Sequence, residues 1–326
     1  MNSLLSRRRF FHWCALSLGV ALAPRLEALS TESHVADMTW PSLSADIYPE
    51  PCQMTGVAVA ADGTILVLNH GENPIEPLKP FRREIIKKPA VLVLDPKSGK
   101  MLRSWGANLL MRPHQISVDA AGHVWIVDSG LKKVFKFDAK GTPLLEVGGE
   151  EINFTLPTDV AVLSDGSFIV TDGATNKRGV KFSAEGESLG DWGLKGEGPV
   201  ILHTPHSITV DTEDRVYVAD RERRWVQVLK AEGEVLATWK KVGSPLTIRY
   251  HKDSIYLLSN MSGTRGIVRR FNLAGELQES FRTRGLGKIQ DYEWPHGLAV
   301  SDGGNSIYVG FVLTARRVQR YHRAKH

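Results

Sequence analysis

Three Pro-His pairs, Pro113-His114, Pro205-His206 and Pro295-His296, head near-copies of one phrase. The copies read RPHQISVDAAGHVWIVDSG, TPHSITVDTEDRVYVADRE and WPHGLAVSDGGNSIYVGF. Neutral imidazole is the commonest metal ligand among side chains. Three such rings around an open position make a catalytic-type zinc site rather than a closed structural one. Iron, nickel or cobalt can occupy the same nitrogens. The competing expectation is that Pro-His is a turn habit of the phrase and that the rings merely cap strand ends. Recurrence at equivalent places favours His114, His206 and His296 as metal ligands. His123, His203, His251 and His322 fall in turns or outer strands, and no chemistry is expected of them.

The elements that must position these residues repeat more often than the histidines do. VAVAADGTILVLN, ISVDAAGHVWIVD, VAVLSDGSFIVTD, ITVDTEDRVYVAD, TIRYHKDSIYLLS and LAVSDGGNSIYVG each read as strand, tight polar turn, strand. One or two further strand-like runs follow each phrase. Four strands per unit at a period of about 40–50 residues predict a β-propeller. The expected fold is therefore all-β, a six-bladed β-propeller of four-stranded antiparallel blades spanning residues 53–323. The heads of the phrases are Thr55, His114, Thr158, His206, Leu246 and His296. Fourteen residues on stand Asn69, Asp128, Asp172, Asp220, Asn260 and Gly310.

Heads of inner strands and tails of second strands share one mouth of a propeller channel. Histidines on blades two, four and six are then a third of a turn apart and converge on the axis. The next ring outward is His70, Ser129, Gly173, Arg221, Met261 and Phe311. Arg221 suits a substrate carboxylate by bidentate pairing, the alternative being an ion pair with a rim acid. His70 is the acid–base candidate, or a fourth ligand.

Composition sets limits. The chain has 326 residues, 42% hydrophobic and 24% charged, as expected of a soluble globular protein. Most of the net +5 sits in residues 1–30, where Arg7, Arg8, Arg9 and Arg25 face only Glu27. No basic-aromatic stripe suggests a nucleic-acid partner. SRRRFF followed by HWCALSLGVALA predicts a twin-arginine export signal over residues 1–30, too short to anchor in a membrane. The expected partners are that export machinery and a small-molecule or peptide C-terminal substrate. The expected location is periplasmic or secreted, the expected state a monomer, with no membrane contact beyond the signal. Cys14 lies in the leader and Cys52 is the other cysteine, so the mature chain has no intrachain disulfide. Residues 31–52 lead into the ring and are candidates to close it. Residues 71–88 form a basic excursion on one rim.

The phrases resemble NHL repeats. The three histidine phrases, together with PTDVAVLSDGSFIVTDGATNKR, resemble peptidyl-α-hydroxyglycine α-amidating lyase, the lyase domain of peptidylglycine α-amidating enzymes. The resemblance implies zinc on His114, His206 and His296 and a substrate contact at Arg221. It also implies opening of a C-terminal α-hydroxyglycine into an amide and glyoxylate. The chain departs from the family in four places. Ala174 stands where a catalytic tyrosine is expected and His70 where an arginine is. Gly297 replaces the aspartate of a structural calcium site, and Trp294 replaces a methionine. Two functions follow: an exported zinc lyase or hydrolase acting on a small carbinolamine- or carbonyl-derived substrate, or a non-catalytic periplasmic propeller for binding or assembly.

Overall fold

A computed structural model describes residues 33–41, 53–76, 79–173, 175–193, 202–260, 266–283, 293–313 and 317–324. The expected leader, both cysteines, most of residues 31–52, Ala174 and Met261 lie outside the described residues.

The described strands make six four-stranded antiparallel sheets. The inner strands are Met54–Val59, Pro113–Val118, Pro157–Val162, Pro205–Val210, Ser244–His251 and Glu293–Ser301. Each packs against the next, and the last packs against the first, so the sheets close into a ring. The fold is the six-bladed β-propeller that the repeat predicts. Among the described residues the only helical element is the short turn Asp302–Gly304.

Burial falls from the axis outward and explains the strand sequences. Second strands such as VWIVD and VYVAD are buried at every position, because both faces are covered by neighbouring blades. Outer strands such as SLGDW are mostly exposed and carry charge. The hydrophobic core is accordingly divided into interblade layers: one cluster joins Ile116 and Ile126 of blade two to Leu66 and Leu68 of blade one. Small residues let blades approach. A Cβ on Gly275 would stand 2.5 Å from the Trp239 indole of the preceding blade.

Blade six takes its outermost strand, His34–Ala36, from the beginning of the chain, with Val35 opposite His322. Asp37 secures this clasp, accepting from Arg320 Nη2 at 2.6 Å and from His322 Nε2 at 2.9 Å. The second strand of blade six runs on to Leu313, past Gly310, where the fourteen-residue interval ends. Gly310 has no room for the aspartate found in blades two to four, since a Cβ there would meet the Met54 carbonyl at 2.7 Å.

Candidate metal centre

Every inner strand has a register shift at its head. The shifts fall between Pro113 and Gln115, Pro157 and Asp159, Pro205 and Ser207, Pro245 and Thr247, Pro295 and Gly297, and Met54 and Gly56. The head residue is thus the extra residue of a β-bulge, which frees it from the ladder and re-aims it. Proline precedes the head in five of the blades and suits the position, having no N–H to offer a ladder. Aspartates at the tails pin the approach to the bulge. Asp128 accepts from the N–H groups of Met111 and Arg112, and Asp220 from those of His203 and Thr204.

Three of the bulged residues are His114, His206 and His296, and their rings meet. Centroids lie 4.9, 4.7 and 5.2 Å apart, each pair edge-on. The ring nitrogens they can offer a metal lie within 4.8 Å of one another. Each Nδ1 is 2.7 Å from a backbone carbonyl: Thr158 for His114, Leu246 for His206, Thr55 for His296. A carbonyl only accepts, so each Nδ1 carries the proton and each Nε2 keeps its lone pair.

Those carbonyls belong to the head residues Thr158, Leu246 and Thr55 of the intervening blades, and a threonine on each of these blades also grips the next strand. Thr55 Oγ1 donates to the Pro113 carbonyl at 3.1 Å and Thr158 Oγ1 to that of Pro205 at 2.9 Å. On the third intervening blade Thr247 Oγ1 donates to the carbonyl of His296. Blades alternate between presenting an imidazole and orienting one.

The rings are electrically neutral. Burial pushes the His114 and His206 imidazoles well below their ordinary range, and repulsion from neighbouring imidazoles adds to it. His296 is brought down to about 4 by burial, with the charges of Arg221 and Arg112 assisting against the Thr55 carbonyl. Three neutral nitrogens with fixed tautomers are the donor set a divalent transition ion needs. The site could hold a metal ion.

Around the cluster the sequence expectations divide. Arg221 lies beside His206 and His296, close enough for its charge to act on both. Its nearest ion-pair partner, Glu222, is 4.0 Å away and is itself engaged by His203 at 2.6 Å. The guanidinium is therefore available to an incoming anion. His70 is not one of the clustered donors. It is fully buried, and its Nε2 donates to the Pro113 carbonyl at 2.9 Å, so that it joins blade one to the strand carrying His114. Its Nδ1 is buried without a partner, and burial lowers the imidazole to about 3.

Arg112, which sequence reasoning did not single out, is a second guanidinium at this mouth. It lies 4.6 Å over the Phe81 ring, and its charge acts on His114, His296 and His70. Its place two residues before the first histidine was the available signal. Phe81 shows that the excursion over residues 71–88 is not wholly an exposed rim, and Ile86 within it is buried. His251, expected in a turn or outer strand, instead ends the inner strand of blade five.

His251 lines a cavity of about 1020 Å³ at the opposite mouth, walled by Val59, Val118, Val162 and Val210. That space lacks the imidazole cluster, which lies at the histidine mouth. Gly297, where the family resemblance leads one to expect an aspartate, abuts blade one: a Cβ would sit 2.9 Å from the Gly56 Cα. The close approach leaves no space for a carboxylate.

A six-bladed β-propeller with a three-histidine centre on its axis is the class that this fold and site define. The NHL repeat matches residues 202–229. Over 321 residues the chain is 28% identical to peptidyl-alpha-hydroxyglycine alpha-amidating lyase 2 of Drosophila melanogaster, covering 90% of this chain and 76% of that one. It is also 28% identical over 338 residues to the peptidyl-glycine alpha-amidating monooxygenase of Mus musculus, covering 91% of this chain and 34% of that one. The chain thus spans about a third of that longer relative. The fold matches a streptogramin B lyase structure with a TM-score of 0.56 at 13% identity, over 90% of this chain and 97% of that one. The chain is a six-bladed β-propeller that carries an NHL-repeat match over residues 202–229 and resembles peptidyl-α-hydroxyglycine α-amidating lyases.

Proposed function

We propose that this protein is an exported, metal-dependent carbon–nitrogen lyase of the α-hydroxyglycine amidating type, or a diverged lyase or hydrolase acting on a related carbinolamine- or carbonyl-derived substrate. The observation that carries this reading is the convergence of three tautomer-fixed imidazoles beside a guanidinium free to bind an anion. Zinc suits the donor set of His114, His206 and His296 best, and another divalent transition ion can take its place. When bound it would supply Lewis acidity, bringing ionisation of a hydroxyl toward neutral pH.

The chain's own residues do the rest. Arg221 would hold the carboxylate of a carbinolamide by paired hydrogen bonds. Arg112 adds positive charge to the same mouth and raises its affinity for anions. The hydroxyl proton passes to solvent water, the carbon–nitrogen bond breaks as the hydroxyl oxygen becomes the aldehyde oxygen of glyoxylate, and the nitrogen takes a proton from water to give the amide. His70 stays neutral and steadies the Pro113 strand. The paired arginines and apolar run of residues 6–23 support twin-arginine export to the periplasm or beyond. The substrate is a small molecule or a peptide C-terminus, and the protein acts as a monomer.

The experiment is metal quantification of gently purified protein followed by turnover of α-hydroxyhippurate and related carbinolamides. One equivalent of transition metal with glyoxylate release supports the reading; metal-loaded protein inert on the whole panel refutes the lyase. A second reading, a non-catalytic binding or assembly module, draws on His70, whose donor is spent inside the fold. Absence of bound transition metal would favour it.

A further inference from the structure

One residue beyond the histidines, the channel is crossed by a connected polar network. Arg249, on the inner strand of blade five, reaches toward the axis. Its Nη1 donates to Asp159 of blade three at 2.8 Å and to Ser207 of blade four at 3.1 Å. Its Nη2 donates to Gln115 Oε1 of blade two at 3.1 Å. Gln115 Nε2 in turn donates back across the axis to Thr247 Oγ1 at 3.0 Å. Ser207 Oγ also donates to Asp159 at 2.5 Å, and Asp159 is completely buried.

Two relationships give this network a meaning beyond packing. Inner strands of a propeller ordinarily touch only their neighbours, yet blades two and five stand opposite each other in this ring, and Gln115 joins them twice. The residues joined are also the ones that follow the ligands. Gln115 adjoins His114, Ser207 adjoins His206, and Thr247 donates to the carbonyl of His296. A change in channel width at this level would alter the spacing of all three imidazoles.

We propose that Arg249 is a positioning residue for the three-histidine centre, bracing the channel across its diameter through Asp159, Ser207 and Gln115. The inference rests on the metal-site reading given under the proposed function. A lysine in its place keeps the charge beside Asp159 but lacks the planar fork that reaches Ser207 and Gln115 together. Leucine at position 115 removes both Gln115 bonds across the axis while leaving the Arg249–Asp159 pair and the longer 3.5 Å bond from Arg249 Nη2 to the Ile116 carbonyl in place.

The test uses the full mature chain and Co(II), titrated into metal-free protein against a competing chelator. Arg249→Lys and Gln115→Leu are each expected to weaken cobalt affinity about tenfold or more and to change its visible absorption bands. Folding is checked by circular dichroism and, should the lysine variant not fold, Gln115→Leu decides. Cobalt affinity within about twofold of wild type and an unaltered spectrum in a folded variant would overturn the proposal. If the wild-type chain takes up no cobalt, the metal reading itself fails, and the brace is judged in metal-free protein by ¹⁵N-histidine spectra. Fixed Nδ1–H tautomers in the wild type that begin to exchange in Gln115→Leu support it; identical ring-nitrogen signals refute it.

Discussion

The Nδ1 of His114 lies 2.7 Å from the carbonyl of Thr158, which is 44 residues away on the next blade. The same bond, repeated by His206 and His296, makes the orientation of the unprotonated nitrogen of each imidazole a property of the blade interface rather than of its own strand. Substitution of any one histidine by alanine should therefore lower bound metal from about one equivalent to below about a tenth, since two nitrogens rarely hold a divalent ion. Elemental analysis of His114→Ala and His206→Ala reads this directly, and full metal retention would contradict the assignment.

Arg221→Ala should act on substrate rather than metal. Loss of a charge-assisted contact of about 1.5–3 kcal/mol corresponds to about a 10- to 100-fold fall in kcat/KM for carboxylate substrates. Metal content should not change. Comparing an α-hydroxyglycine with its neutral ester in both proteins checks the claim, because the ester should lose far less.

Ala174→Tyr tests how far the pocket has diverged. Position 174 follows Gly173 in the sequence, where the family resemblance leads one to expect a tyrosine. A restored proton-transfer group should raise turnover of α-hydroxyhippurate by about 100-fold. An unchanged rate would show that the mouth has been rebuilt for another substrate.

Acid should weaken the metal-free protein before its carboxylates matter. The His296 imidazole titrates near 6.5 when unfolded and near 4 when folded, so the unfolded chain binds more protons between those values. Its contribution is fully present above about pH 6.5 and is lost as pH falls toward 4, amounting to about 3 kcal/mol. His70, lowered to about 3, acts in the same direction over a wider range. Urea unfolding midpoints from about pH 7.5 to about pH 4.5 should fall accordingly. A flat profile would mean that these rings are hydrated.

The clasp offers an independent test far from the site. Burial pushes the Asp37 carboxyl up, but hydrogen bonds from Arg320, Thr39 and His322 outweigh it and hold the group below the usual range. Asp37→Asn should cost about 1–2 kcal/mol of stability. Hydrogen exchange at Val35 should accelerate without any change in metal content.

The parts of this design that recur along the chain were visible in the sequence. The interval from His114 to Asp128, shared by six phrases, marks the blades, and every second head marks the clustered imidazoles. The bulge was not visible, because the heads look like ordinary strand residues until partner strands show which one is unpaired. The Thr158 and Leu246 carbonyls were hidden for a simpler reason: a main-chain oxygen leaves no mark in residue type. Arg249 sits in TIRYHKDSIYLLS, a phrase whose head residue is the apolar Leu246, and only ring closure sets it against Gln115, 134 residues away. Arg112 lay inside the first phrase, but nothing in its type separates a guanidinium over Phe81 from an ordinary surface charge.

Alternation between imidazole-bearing and carbonyl-bearing blades imposes a parity rule. A ring of five or seven could not keep the pattern, because two like blades would meet at the seam and leave a histidine unoriented or a carbonyl unclaimed. The unit that can be exchanged with the centre intact is a pair of consecutive blades, and transplanting such a centre into another propeller would require an even count.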